Sequence, residues 1–198
     1  MVATSHSILR RLADSRYATR WFVGHGVDVG GGSDSLGLFT ELFPMITHLT
    51  TYDQNEGDAQ TMSNVDDYHF DFLYSSHCLE HLSDPYVALK NWLRVVRPGG
   101  HLIVSIPDED LYEQGHWPSL FNGEHQTSWT ILKNKSWSAG SVNVVDLLRS
   151  VADDARPIKI ELIDHGYRYS LKQDHQTLYA MVEAAIEFII KRNDNAPT

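Results

Sequence analysis

The sequence contains little cysteine, no long apolar run and few basic side chains, and each shortage excludes a class of protein. Cys78 is the only cysteine, so the chain cannot form an internal disulfide, which agrees with a reducing compartment and a cytoplasmic location. No apolar run approaches the ~20 residues of a membrane-spanning helix, and the N-terminal stretch MVATSHSILRR lacks the apolar core of a signal peptide. We therefore expect no membrane association.

Acidic side chains clearly outnumber basic ones. The 26 Asp and Glu residues against 16 Lys and Arg residues give a formal net charge of −10, and the basic residues form no long stripe. Because a polyanion would be repelled at long range, nucleic acid is not an expected partner.

The remaining composition is that of a globular chain with one core. Apolar residues make up 42% and charged residues 21%, a balance that excludes a disordered or fibrous protein. A length of 198 residues suffices for one sizeable core and is too short for two ordinary domains. The sequence predicts a single domain over 1–198.

Hydrophobic patterning predicts strands that alternate with helices. The predicted helices are an N-terminal one that ends near Arg20, one over 36–43, one from the Asp84-Pro85 cap to Pro98-Gly99-Gly100, and one over 142–151. The predicted strands cover 26–29, 46–52, 70–75, 101–106, 158–163 and 184–190. For the last segment both helix and strand are open, and its alternation favours a strand.

This order predicts an α/β fold with a mostly parallel central sheet and helices on both faces. Such sheets bind ligands at the carboxyl ends of their strands. We divide the domain into an N-terminal cap helix over 1–22, a cofactor-binding half over 23–110, a lid or substrate segment over 111–138, the C-terminal half of the sheet over 139–192 and a tail over 193–198. In our hypothesis, the cap helix, with Tyr17 and Trp21, and the lid close over a bound cofactor.

A glycine cluster directly follows the first predicted strand, at Gly30, Gly31 and Gly32. Glycines permit a tight turn and close approach of a ligand, and the helix that follows offers free N–H groups, so the cluster favours a nucleotide-like cofactor. Its spacing differs from the GxGxxG of dinucleotide sites. Asp28, just before the glycines, would repel a pyrophosphate and suits a ligand with a positively charged amino acid end.

Asp53 ends the second predicted strand, next to the glycine cluster in a parallel sheet. A carboxylate at this place can accept hydrogen bonds from both hydroxyls of a ribose. A simple turn role for Asp53 remains the alternative.

Three motifs together resemble those of the class I S-adenosylmethionine-dependent methyltransferases, in particular the group called methyltransferase type 11. They read VDVGGGSDSLG, TTYD and FDFLYSSHCLEHLSDPYVALKNWLRVVRPGGHLIVSIPDE, and they cover roughly residues 24 to 110. The resemblance implies a Rossmann-like class I methyltransferase fold with an antiparallel last strand, and S-adenosylmethionine as the cofactor. The cofactor-binding candidates are then Asp28, Gly30, Gly31, Gly32, Asp53, Asp58, Ala59 and Ser75.

The resemblance assigns the glycine turn to the methionine part of the cofactor, Asp53 to the ribose, and Asp58 with Ala59 to the adenine. Two departures from the family pattern are Asp34, where a third glycine is usual, and the short spacing between Asp53 and Asp58. The family often has a helix and another strand in that interval. Asp66 or Asp67 is therefore an alternative adenine contact.

Two histidines are candidate general bases. His77 comes directly after a predicted strand end, where an imidazole can take a proton from an incoming hydroxyl or amine. His125, or its neighbour Glu124, is the candidate in the lid. Glu80 and His81 are expected to orient the turn after the strand.

The lid segment contains the side chains that we expect to contact the substrate, because aromatic and polar groups together suit a ligand pocket. They are Tyr112, His116, Trp117, Phe121 and Asn122. His116, Glu124 and His125 lack the spacing of a helical HxxxH metal site, so no metal is expected.

The sequence thus predicts a methyltransferase that acts on an O or N atom of a small molecule, with a sugar derivative or secondary-metabolite intermediate favoured. One alternative is a non-catalytic methyltransferase-like subunit that binds a partner. The other is an NAD(P)-dependent oxidoreductase, which shares the strand, the glycine turn and the acid after the second strand. The oligomeric state is not predictable from these residues.

Overall fold

The central sheet of the protein is built from six strands. A computed structural model describes residues 3–171 and 173–194 of the chain. The strands are β1 Gly24–Val29, β2 Ile46–Tyr52, β3 Phe70–Ser76, β4 Val96–Pro107, β7 Ala155–Ile163 and β8 Ala185–Arg192, with β5 Ser128–Thr130 and β6 Ser141–Asn143 paired separately. The sheet order is β2-β1-β3-β4-β8-β7. Strands β1 to β4 run parallel and β8 runs antiparallel to both neighbours, which confirms the predicted fold class.

Helices and helical turns connect these strands. The α-helices are α1 Ala3–Ala13, α2 Pro85–Val95 and α3 Val144–Arg149. The π-helical turns cover Tyr17–Trp21 and Glu109–Glu113, and the 3-10 turns cover Gly32–Asp34, Leu36–Leu42, Leu79–His81 and Gln176–Leu178. Within the described ranges, no helix has the length and apolar character needed to cross a membrane.

The two faces of the sheet pack against different elements. On one face, side chains such as Leu73 and Val104 contact the core that contains Trp92 of α2 and Leu147 of α3. On the other face, Phe72 and its neighbours pack with the N-terminal segment and the 3-10 turn at Leu36–Leu42. Since side chains alternate along each strand, both layers are buried at once.

Helix α2 is longer in the prediction than in the structure. The Asp84 carboxylate accepts hydrogen bonds from the N–H groups of Tyr86 and Val87 at 2.9 and 3.0 Å, as a capping residue does. The helix ends at Val95 instead of at Pro98, and β4 begins at once. The guanidinium of Arg192 donates to three carbonyl oxygens at this junction, which satisfies groups that a helix end leaves free.

The N-terminal segment is two pieces where one helix over 1–22 was predicted. Helix α1 stops at Ala13, and a π-helical turn over Tyr17–Trp21 follows. Tyr17 and Trp21 are buried in the core below the sheet and line none of the cavities described below. The expectation that these two aromatic residues close over a cofactor is therefore wrong, because the π-helical turn directs them into the core.

Other boundaries shift by a few residues. The helix predicted over 36–43 is a 3-10 turn, the one over 142–151 shortens to α3, and β7 and β8 each extend beyond their predicted ranges. The chain between β2 and β3 forms turns without a further strand, so β2 is an edge of the sheet. Of the predicted tail over 193–198, residues 195–198 lie outside the described part.

Candidate active site

The glycine turn lies at the carboxyl end of β1, between β2 and β3. Gly30 has a φ of +76°, and a Cβ there would lie 2.6 Å from both Cβ and Sγ of Cys78. Its N–H donates to the carbonyl of Tyr52 at 2.9 Å. A larger residue at this position would clash, so the close packing of the turn requires glycine.

Asp28 lies just before this turn and stabilises it through hydrogen bonds. The carboxylate is buried, and its Oδ2 accepts hydrogen bonds from the Ser35 hydroxyl and the Leu36 N–H, both at 2.7 Å. Burial raises the pKa of Asp28 to about 6, although these hydrogen bonds oppose the rise. Oδ1 has no hydrogen-bond partner among the described residues, and Asp28 itself lines none of the three cavities described below.

Asp53 lies across from the turn at the end of β2. Its Oδ2 accepts a hydrogen bond from the Gly32 N–H at 3.0 Å, and its Oδ1 accepts one from Gln54 at 2.9 Å. Asp53, Asp58 and Ala59 all line a cleft of about 560 Å³. This volume is in the range of small-molecule sites.

The alternative adenine contacts lie elsewhere. Asp66 and Asp67 are exposed and do not line the cleft, and Asp67 pairs with Arg94 at 2.6 Å. Ala59 is held in place because its carbonyl accepts a hydrogen bond from the Trp92 indole at 2.7 Å.

A second cavity of about 280 Å³ continues the cleft toward α1. Both are lined by Gly30, His77, His81 and Glu124, so they form one groove, which we call the cofactor groove. The start of α1 forms its far wall, where Ser5 hydrogen-bonds Asp34 through its N–H and its hydroxyl. The groove therefore runs from Asp53 along the glycine turn to the N-terminal helix.

His77 lies where this groove meets a third, smaller cavity lined by Arg11, Ser76 and Ser105. Its φ of +54° is unusual for a residue with a side chain, and its N–H donates to the carbonyl of Ser105 at 2.9 Å. The preceding Ser75 is buried and lines none of the three cavities. The backbone at the end of β3 thus directs His77 into the groove.

Behind the groove lies a buried group of acidic and imidazole side chains. Glu80 has an exposure of 0%, with His77 Nδ1 3.3 Å and His125 Nε2 4.0 Å from its Oε1. His125 Nδ1 lies 2.7 Å from Glu113 Oε1. Burial alone would raise the pKa of Glu80, but the adjacent histidines outweigh it and lower that pKa. His125, a candidate base, is thus behind the groove wall and in contact with Glu113.

The lid segment is packed more tightly than a free loop. Tyr112 is buried in a small core that Phe121 joins, and the Trp117 indole lies against Gly140, where a Cβ would be 2.4 Å from it. Asn122 lines the cofactor groove, whereas Tyr112, His116, Trp117 and Phe121 line none of the three cavities. Of the predicted substrate contacts, only Asn122 reaches the groove in this conformation.

Sequence patterns did not identify the buried partners. Glu80 was assigned to turn orientation, and Glu113 was one of many polar residues in the lid. The H-x-x-E-H spacing from His77 to His81 was the available signal, since residues three and four apart share one face of a helical turn.

A family model described as "Methyltransferase domain" matches residues 40–104, about a third of the chain. This match extends from the 3-10 turn before β2 through most of β4. No curated protein matches the sequence significantly.

Solved structures resemble almost the whole described chain. A S-adenosylmethionine-dependent methyltransferase from Archaeoglobus fulgidus is 16% identical, with a TM-score of 0.59 over 96% of this chain and 95% of that one. The N-methyltransferase NodS from Bradyrhizobium japonicum WM9 is 16% identical, with a TM-score of 0.54 over 95% and 94%. A chain of the Haloferax volcanii complex between the Trm112 methyltransferase activator and a methyltransferase is 14% identical, with a TM-score of 0.59 over 95% and 89%. At these identities the likeness is one of fold.

Proposed function

We propose that the chain is a class I S-adenosylmethionine-dependent methyltransferase that uses S-adenosylmethionine as its cofactor and methylates an O or N atom of a small molecule. The family match over residues 40–104 and the shared fold support this proposal. The observation that carries this proposal is the cofactor groove, in which Gly30, Asp53 and His77 meet at the carboxyl ends of three adjacent strands. The alternative role as a non-catalytic partner subunit is not favoured by the comparisons.

The lining of the groove suits the parts of the cofactor in order. The glycine turn would hold the methionine end, with the buried carboxylate of Asp28 beneath it as a nearby negative charge for the amino group. Asp53 would hold the ribose, and Asp58 and Ala59 would hold the adenine, since all three residues line the cleft. The acidic lining favours a cofactor with an ammonium and a sulfonium over a pyrophosphate, which counts against an NAD(P)-dependent oxidoreductase.

The acceptor would enter beside His77 from the Asn122 side of the groove, because the smaller cavity, at about 20 Å³, has room only for about one water molecule. The sulfonium is already activated, so the main task of the protein is to hold the acceptor atom in line with the methyl carbon. A base at His77 would add about 10²- to 10⁴-fold for a poorly reactive hydroxyl, whereas His125 lies behind the groove wall and does not reach the acceptor. The part of the groove beside α1 is lined mainly by polar residues, which supports a sugar derivative or secondary-metabolite intermediate. A cytoplasmic location belongs to the same proposal, in keeping with the single cysteine.

Isothermal titration with S-adenosylmethionine tests cofactor placement. We expect saturable binding to the wild-type chain and about tenfold or weaker binding to Asp53→Ala, because a carboxylate that accepts two hydroxyl hydrogen bonds contributes over about 1.4 kcal/mol. Asp66→Ala, an exposed carboxylate outside the groove, is the matched control and should bind as the wild type does. No binding by folded protein at millimolar concentration, or tighter binding of NADH, would overturn the proposal.

Turnover with a panel of small hydroxyl and amine acceptors tests the role of His77. His77→Ala should lower kcat about a hundredfold for a hydroxyl acceptor and leave cofactor affinity within twofold. His69→Ala changes an exposed histidine away from the groove and should have no effect. Full turnover by His77→Ala would exclude His77 as the general base and leave proximity as the only catalytic contribution.

A further inference from the structure

Glu80, His81 and His125, which we call the Glu80 cluster, bring three donor groups together behind the cofactor groove. One potential ligand atom from each lies within 4.8 Å of the other two. Both carboxylate oxygens of Glu80 and Nε2 of His125 are buried and make no hydrogen bond of good geometry among the described residues, and the charged contact nearest to Glu80 is His77 Nδ1, 3.3 Å from Oε1. The side chains of Glu80 and His125 are completely shielded from solvent.

Such a group of unsatisfied atoms is energetically expensive without a ligand. Each buried polar atom without a partner costs about 1–3 kcal/mol, and a carboxylate costs more. A single cation between Glu80 and the two imidazoles would satisfy all of these acceptor atoms at once. Neutral imidazole nitrogens and carboxylate oxygens are the donors that bind divalent metals.

Both histidines are held as metal-binding histidines usually are. Nδ1 of His125 contacts the Glu113 carboxylate at 2.7 Å, and Nδ1 of His81 contacts the carbonyl oxygen of Glu124 at 3.2 Å. An N–H donated to each acceptor leaves the Nε2 lone pair of each ring available as a ligand. Carboxylate or carbonyl partners of this kind orient the imidazole around a metal.

The spacing fits an ion with small adjustments. Ligands at ~2.1 Å from a common ion lie roughly 3.0 to 4.2 Å from one another. Oε1 of Glu80 and Nε2 of His125 are 4.0 Å apart, which is inside that range. All three ligand atoms lie within 4.8 Å of one another, so the widest separation exceeds the upper end of that range by about half an ångström at most.

We propose that Glu80, His81 and His125 bind one divalent transition-metal ion, such as Zn²⁺ or Fe²⁺, at the inner wall of the cofactor groove. Two imidazoles and one carboxylate suit these ions, whereas Mg²⁺ and Ca²⁺ prefer oxygen ligands. His81 lines the groove, so the open coordination positions face it. From the sequence, His125 was considered as a metal ligand only with His116 and Glu124, and no metal was expected; the fold places His125 beside Glu80 and His81.

This site goes beyond the proposed methyl transfer and its existence does not depend on it. If the chain is a methyltransferase, an acceptor hydroxyl that binds the ion becomes a stronger acid, so its oxygen attacks more readily. The proton leaves to water, the oxygen bonds to the methyl carbon, and the C–S electron pair returns to sulfur.

Titration of the metal-free, tag-free chain with Co²⁺ tests the proposal directly. We expect one equivalent to bind with the visible absorption of a nitrogen- and oxygen-ligated site, and Zn²⁺ to displace it. Glu80→Gln and His125→Gln should each weaken binding at least a hundredfold. Glu113→Gln, which alters only the support of His125, should weaken it ten- to a hundredfold.

His116→Gln is the matched control and should bind Co²⁺ as the wild type does, since its side chain lies outside the cluster. If Glu80→Gln does not fold, His81→Gln at the half-buried position provides the same test. Absence of stoichiometric binding to the wild type, or equal binding by Glu80→Gln and His125→Gln, overturns the metal site. Because titration with S-adenosylmethionine is a separate measurement, that failure is distinct from failure of the proposed function.

Discussion

Glu187 is the most heavily paired charge in the core. It lies on β8 with no exposure, and its carboxylate contacts Arg11 at 2.9 Å, Lys159 at 3.0 Å and Arg10 at 3.2 Å, with a further hydrogen bond from Tyr17. Burial opposes ionisation, but these cations outweigh it and hold the pKa of Glu187 well below its usual range. This single residue therefore connects the N-terminal segment to the antiparallel part of the sheet.

Replacement of Glu187 by Gln should lower the free energy of unfolding by about 3–5 kcal/mol, because it leaves buried cations without their partner. Urea unfolding monitored by circular dichroism measures this change. Glu161→Gln, at a largely exposed carboxylate that pairs with Lys159, is the control and should cost under about 1 kcal/mol. Equal effects of the two substitutions would contradict the structural role of Glu187.

The same residue predicts a dependence of stability on pH. A carboxylate with a lowered folded pKa stabilises the fold above its unfolded pKa of about 4.3, and this contribution disappears as pH falls toward the folded value. The stability difference between wild type and Glu187→Gln should thus be constant near neutrality and shrink below about pH 4. A difference that grew on acidification would refute the assigned direction.

Helix α2 shows how local signals define an element. Asp84 caps its N-terminus and Pro85 occupies the first turn, and the apolar stripe of Leu89, Trp92 and Leu93 is buried against the sheet. The start of this helix could be predicted because cap and stripe are local. Its end could not, because Arg192, which satisfies the terminal carbonyls, comes from the distant β8.

Loss of the α2 cap should be measurable in the stability of the whole domain. Asp84→Ala removes two hydrogen bonds to backbone N–H groups and should lower the free energy of unfolding by about 1 kcal/mol. Lys90→Ala changes an exposed position in the same helix and should alter stability by less than about 0.5 kcal/mol. Thermal or urea unfolding of the two variants separates the cap from a general helix effect.

At the scale of the whole molecule, α1 joins the two halves of the sheet. Its N-terminal end is hydrogen-bonded to Asp34 beside the glycine turn, and Arg10 makes two 2.8 Å hydrogen bonds to Glu183 just before β8. The helix also walls the cofactor groove at Ala3 and Thr4. Cofactor retention should consequently depend on how firmly α1 is held.

Arg10→Ala should loosen α1 without changing the groove lining. We expect faster amide hydrogen exchange over residues 3–13 and faster dissociation of S-adenosylmethionine, because the wall of the groove opens more often. Arg20→Ala, at an exposed position of the neighbouring π-helical turn, should change neither rate. Unchanged exchange in Arg10→Ala would show that other contacts hold the helix.

Local patterns alone determined the strand order along the chain, the glycine turn after β1 and the carboxylate at the end of β2. Each depends on residues close in sequence, where hydrophobic period, capping and turn chemistry act directly. The antiparallel last strand followed from the family resemblance. The placement of Asp28, Asp53 and His77 at one edge of the sheet followed as well, because parallel strands end together.

Only the tertiary structure decided which polar residues meet and which are buried. Tyr17, Trp21 and Tyr112 became core residues, three further predicted substrate contacts came to lie outside the groove, and Glu80 came to lie beside His125. These outcomes depend on how the loops that lack a periodic sequence pattern run through space. They depend also on the loss of hydration when charged groups from separate segments are buried together. The spacing of neighbouring residues encodes neither the loop paths nor the burial of these charges, because both arise only when distant segments pack together and exclude water.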